Sequence, residues 1–113
     1  ATEDFITNHA DLAQLVVNAY EKARAWAEEN PEKTAAILAE VAGIDPAIAT
    51  AVIADRTNLA VDPVPGKAQL DVLKVIGPVF VESGDVASQK AIDDALDSLL
   101  EPKFAKAADP SAL

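Results

Sequence analysis

The chain has 113 residues, half of them hydrophobic, with nine basic against nineteen acidic side chains and a formal charge of −10. This length fits one domain with one modest core, and the negative balance repels phosphate backbones and anionic membrane surfaces, so no nucleic-acid partner is expected. Cysteine is absent, which removes disulfides, a thiolate nucleophile and Cys-ligated metal.

No run approaches the roughly 18 apolar residues that span a bilayer, and no stretch reads as a signal peptide. The opening ATEDF reads as the start of a trimmed or mature fragment. Many of the hydrophobic residues are alanine, and there are only one Trp, one Tyr and three Phe. The expected core is therefore aliphatic and helical, with few large anchors.

The first and longest amphipathic run lies within Phe5 to Asn30, with a helix expected over 8–29. Leu12, Val16, Ala19, Ala23 and Trp26 recur at steps of four and three, one apolar stripe at 3.6 residues per turn. Leu15, Val17, Tyr20 and Ala27 widen it, and that width predicts burial on more than one side. Thr7 or Asn8 supplies a side-chain cap, and Asp11 suits the positive end of the helix dipole.

Asn30-Pro31 is a start signal, with Asn30 as cap and Pro31 in the first turn, for a helix over 31–42 whose apolar face is Ala35, Ile37, Leu38, Val41 and Ala42. Gly43 closes it in the left-handed conformation. Asp45-Pro46 opens a helix over 46–56 with Ile48, Ala51, Val52 and Ile53 on its apolar side. Residues 57–65, with two prolines, read as a loop containing a short extended segment at 59–61.

The helical period resumes over 66–82, with Leu70, Leu73, Ile76 and Phe80 on one face and Val72 and Val79 beside it. Pro78 after Gly77 predicts a kink, and Gly84 ends the run. A last helix over 88–100 carries Ile92, Ala95, Leu96 and Leu99 inward and Asp93, Asp94 and Asp97 outward, and Pro102 stops it. Phe104 is a candidate anchor that folds back, and residues 107–113 read as a frayed end. The expected fold class is all-α, about five helices in a single segment, 1–113.

These elements, in order, resemble a known family. Phe5, His9 four residues on, a long helix reaching Ala25-Trp26, then Asn30-Pro31-Glu32 and an Ala-rich helix closed by Gly43-Ile44-Asp45-Pro46 resemble the C-terminal part of periplasmic substrate-binding proteins of ABC importers, in the aliphatic-sulfonate, nitrate and taurine group. Asp55-Arg56 stands where that family often has paired arginines, ahead of a proline, here Pro63. Gly84-Asp85-Val86, the Asp-rich helix and Glu101-Pro102-Lys103-Phe104 are similar to the family's ending. Ala10 stands in place of the usual proline after His9, Asp55 in place of one arginine, and Pro78 interrupts a helix that the family keeps unbroken.

The resemblance implies a two-lobed α/β protein longer than this chain, with solute held between the lobes. These residues would be a terminal helical piece that returns to the first lobe and packs on its sheet. It implies an ABC permease as partner of the intact protein, a small anionic or zwitterionic solute, and a periplasmic or cell-surface-attached location. Most ligand contacts would lie upstream, so no ligand-binding residue is assigned here.

No catalytic group is expected. His9 is the only histidine and reads as a surface or cap residue, since one ring without Cys or a second His does not complete a usual zinc set. Asp93 and Asp97 share a helical face but read as solvated, because calcium loops need a turn glycine and ligands at alternating loop positions. Asp97-Ser98-Leu99 is similar to the phosphopantetheine attachment triplet of acyl carrier proteins, yet Ser98 lies near the end of the last helix instead of at the start of a middle one. Tyr20 and Trp26 read as packing residues. No Gly-rich phosphate loop and no Gly-x-Ser-x-Gly is present, so neither an enzyme nor a cofactor is expected.

A different class of function is a stand-alone acidic helical interaction module that docks a partner through the Trp26 face. If the helices evolved to cover a sheet, the chain by itself exposes an apolar face, and a homo-oligomer or domain-swapped dimer through residues 8–29 is expected.

Overall fold

A computed structural model of the chain describes residues 1–112. Among the described residues there are only helices and connecting turns: α1 (Glu3–Asn8), α2 (Ala10–Glu29), α3 (Pro31–Ala42), α4 (Pro46–Arg56), α5 (Lys67–Glu82), α6 (Gln89–Ser98) and the single turn α7 (Lys103–Lys106). The all-helical class expected from the sequence is what the chain adopts. Its helices form two compact units, Ala1–Asp62 joined by the residues from Ala108 onward, and Pro63–Ala107.

The first unit opens with a break that the hydrophobic period does not show. Thr2 caps α1 by accepting from the Phe5 N–H, and the chain turns at His9 (φ −134°, ψ 45°) before α2 begins. The cap expected from Thr7 or Asn8 is not formed. Both side chains find partners one turn back, Thr7 Oγ1 donating to Glu3 O at 2.8 Å and Asn8 Nδ2 to Asp4 Oδ1 at 2.8 Å. His9 takes the N-cap position of α2 without a side-chain hydrogen bond.

Asn30 is likewise redirected. Its Nδ2 donates to Trp26 O at 2.9 Å, closing α2, and does not cap α3, where Pro31 nonetheless takes the first turn. Gly43 adopts φ 64°, and the Ile44 N–H reaches back five residues to Ala39 O at 3.2 Å, satisfying an end carbonyl of α3. Asp45 caps α4 by accepting from the Ala47 N–H at 2.8 Å. Three residues separate α3 from α4, which pack together and each bury one alanine, Ala35 and Ala49. Side chains this small allow close approach and contribute little apolar area.

In the second unit, α5 packs on α6. Gly77 is buried at that contact, where a methyl group would stand 2.7 Å from Ile92 Cγ2. The helix runs on through Pro78 to Glu82, and Gly84 then takes φ 80° as the chain turns away. Ser88 caps α6, which stops at Ser98, two residues short of the expected end. Phe104 is buried in α7, the anchor expected from the sequence.

Four other expectations are corrected. The described segment 59–61 forms no strand; Asn58 Oδ1 accepts from the Ala60 N–H and sets a turn instead. Of the segment read as frayed, Leu113 lies outside the described residues, and 109–111 are tied down, because the Asp109 N–H donates to Asn18 Oδ1 at 3.0 Å and Asp109 in turn accepts from Ser111. Ala95 and Leu99, read as inward, are exposed. The aliphatic core is also missing: among the described residues the buried apolar side chains are Ala13, Ala35, Ala49 and Phe104, and no large side chain is fully enclosed.

Candidate functional site

Helix α2 faces opposite to what its apolar stripe predicts. Leu12, Val16, Ala19, Ala23 and Trp26, expected inside, are all exposed, Trp26 at 41%. Of the row that widens the stripe, Leu15 and Tyr20 are exposed as well, whereas Val17 and Ala27 are half-buried. A shallow groove lined by Ala19, Lys22, Ala23 and Trp26 runs along this side.

The side of α2 turned into the unit mixes small apolar with polar residues, Ala13 buried and Val17, Ala25 and Ala27 half-buried beside Gln14, Asn18, Glu21 and Arg24. Asn18 is only 5% exposed, and its Oδ1 accepts from Gln14 Nε2 at 3.0 Å and from the Asp109 N–H at 3.0 Å. One turn further, Arg24 pairs with Glu21 at 2.6 Å and donates from its other terminal nitrogen to Leu59 O in the loop. The hydrogen bond to Glu21 raises the Arg24 guanidinium above its ordinary pKa, against a lowering by burial, with the charges of Glu21 and Glu28 adding to the rise. Two connections with no regular structure, the loop at Leu59 and the chain end at Asp109, are thus fastened to one face of α2. Gln14, Asn18, Glu21 and Arg24 at steps of four, three and three are the sequence signal for this face, and apolar periodicity alone passes over it.

The isolated candidates are not brought together. His9 is exposed, its ring centroid 5.4 Å from that of Phe5. Asp93 and Asp94 accept from Gln89 and Lys90 one turn earlier on α6, and Asp97 is exposed. Among the described residues no three His, Cys, Asp or Glu side chains converge as metal ligands. Ser98 is the last residue of α6, far from the helix start that a carrier serine occupies. Tyr20 at 74% exposure packs on little of its own chain.

A second apolar surface lies on α5, where Val72, Ile76 and Val79, read as apolar in the sequence, are joined by Val75 and face outward. Val72, Val75, Ile76 and Val79 are exposed along one side, with Asp71 at its edge. None of the helices is long and apolar enough to cross a membrane among the described residues. Among the described residues, the outward apolar stripes of α2 and α5 are candidate surfaces on this acidic chain. No protein family, curated protein or solved structure matches the chain.

Proposed function

We propose that this chain is the C-terminal helical segment of a solute-binding protein that captures a small anionic or zwitterionic solute, of the sulfonate, taurine or nitrate class, and delivers it to an ABC importer. The observation that carries this reading is the reversed face of α2, whose polar side is fastened to the unit's own loops while its apolar side is left outward. A stripe of that kind is stable in water only when something apolar covers it. In the proteins that the sequence resembles, the cover is the sheet of the first lobe.

On this reading the chain performs no covalent chemistry. Solute would be held in a cleft formed mostly by upstream residues, and domain closure around it would present the loaded form to the permease. The intact protein would work in the periplasm or attached to the cell surface. Titration calorimetry of the protein encoded by the whole reading frame, with taurine, an alkanesulfonate and nitrate, tests this. Saturable binding of one of the three supports the reading, and absence of binding to all three overturns it.

A second reading, an acidic helical interaction module, is favoured by the open groove at Ala19, Lys22, Ala23 and Trp26. Substituting Trp26 by Ala separates the two. In a solute-binding protein the change removes packing between α2 and the sheet and lowers the melting temperature of the intact protein. In a module it leaves stability unchanged and abolishes capture of the partner.

A further inference from the structure

The stripe on α5 is left outward, with Val72, Val75, Ile76 and Val79 exposed. By the usual scaling with mass, two separate folded bodies of the sizes seen here expose about 7,100 Å² together, and a single folded chain of 11.8 kDa about 5,900 Å². This chain exposes 8061 Å². The surplus is about 1,000 Å² even against the larger reference, shared between the stripes of α2 and α5, where one partner contributes roughly 800 Å² to an interface of ordinary size.

On α5 the outward residues Ala68, Val72, Val75 and Val79 follow at steps of four, three and four. That is the spacing of a seam between two helices packed side by side. Val72 and Val75 are 66% and 79% exposed, and Asp71, which borders the seam, is paired with Lys67 one turn earlier at 2.5 Å. The ends of the helix differ in charge, Lys67 at its start and Glu82 at its end, both exposed.

We infer that α5 is the contact for a second copy of this chain, paired antiparallel about a two-fold axis near Leu73 and Lys74. In that register Val72 of one copy layers on Val75 of the other, and Ala68 on Val79. Lys67 of each copy meets Glu82 and the negative end of the helix dipole of its partner. The same operation on α2 gives the opposite electrostatics, since an antiparallel pair brings the acidic start of one copy, with Asp11, toward the acidic end of the other, with Glu28 and Glu29. A parallel pair on either helix would align the two dipoles unfavourably. Charge therefore selects α5 over residues 8–29 as the self-contact and leaves the stripe of α2 for the covering proposed above.

Sedimentation equilibrium of the 113-residue chain from micromolar to millimolar concentration tests this, with helicity checked by circular dichroism. The wild type is expected to form a dimer. Val75→Asp, at an exposed position, should raise the dissociation constant on the order of 100-fold. Lys67→Glu should weaken the dimer, and Lys67→Glu combined with Glu82→Lys should restore it, while Trp26→Ala leaves it unchanged. A monomer throughout the range overturns the inference. So does an assembly that survives Val75→Asp with helicity intact, or one that Trp26→Ala abolishes. Solute calorimetry on the intact protein is independent of these outcomes.

Discussion

Asn18 shows how much one polar side chain holds in a chain with so little core. Its Oδ1 is shared by the Gln14 amide and the Asp109 N–H, residues four and ninety-one positions away. Asn18→Ala leaves a part-buried backbone N–H without its acceptor, which costs about 1–3 kcal/mol. A urea titration should show a lower midpoint with an unchanged slope, and faster amide exchange at Asp109. An unchanged midpoint would mean that the end of the chain is not held there. The acid limit of the same turn follows from Asp109, whose carboxylate accepts from the Ser111 hydroxyl at 2.6 Å and its amide at 2.8 Å and is held below its ordinary pKa by them. A carboxyl lowered in the folded state stabilises fully above the unfolded value, about 3.9 for Asp, and this stabilisation is lost as pH falls through the lower folded value. The turn should stay closed at pH 4 and open below it. A titration of the Ser111 amide shift by NMR with a midpoint above 4 would contradict this.

Among the helices, the contact of α5 with α6 is set by the absence of a side chain. Alanine at position 77 would gain helix propensity, roughly 1 kcal/mol, but its methyl group would meet Ile92 Cγ2 at 2.7 Å, closer than packed atoms tolerate. Gly77→Ala should therefore be net destabilising, by about 1–2 kcal/mol after the propensity gain, because overpacking outweighs it. Ile92→Ala in the same chain removes the obstructing methyl. A double-mutant cycle measured by thermal unfolding should then show favourable coupling between the two changes, and additivity within error would place the clash elsewhere. The boundaries of these helices were largely legible in the sequence, because Pro31, Asp45-Pro46, Gly43 and Gly84 act through local backbone geometry that no distant contact overrides. Their orientation was not. Periodicity shows which side of α2 is apolar, but the side that turns inward was decided by Arg24 reaching Leu59 and Asn18 reaching Asp109, both nonlocal. The His9 break was hidden for a related reason: Thr7 and Asn8 prefer acceptors in α1 to capping α2.

For the molecule as a whole, charge and apolar surface act against each other. Two copies of a chain with formal charge −10 repel, and at 10 mM salt that repulsion reaches about 30 Å, against about 8 Å at 150 mM. The Lys67 and Glu82 pairs of an α5 dimer would be exposed and worth about 0–1 kcal/mol each. Salt weakens both terms, but it screens the repulsion among many like charges more than it costs in two surface pairs. The dimer should therefore tighten as salt rises from 10 to 150 mM, by roughly threefold or more. Sedimentation equilibrium across this series reads the sign directly. The Lys67→Glu, Glu82→Lys swap keeps the net charge and should follow the same slope, whereas Lys67→Glu alone adds two negative charges per chain relative to wild type and should steepen it. Loosening with salt in the wild type would mean that local ion pairs, and not burial of the valine seam, hold the copies together.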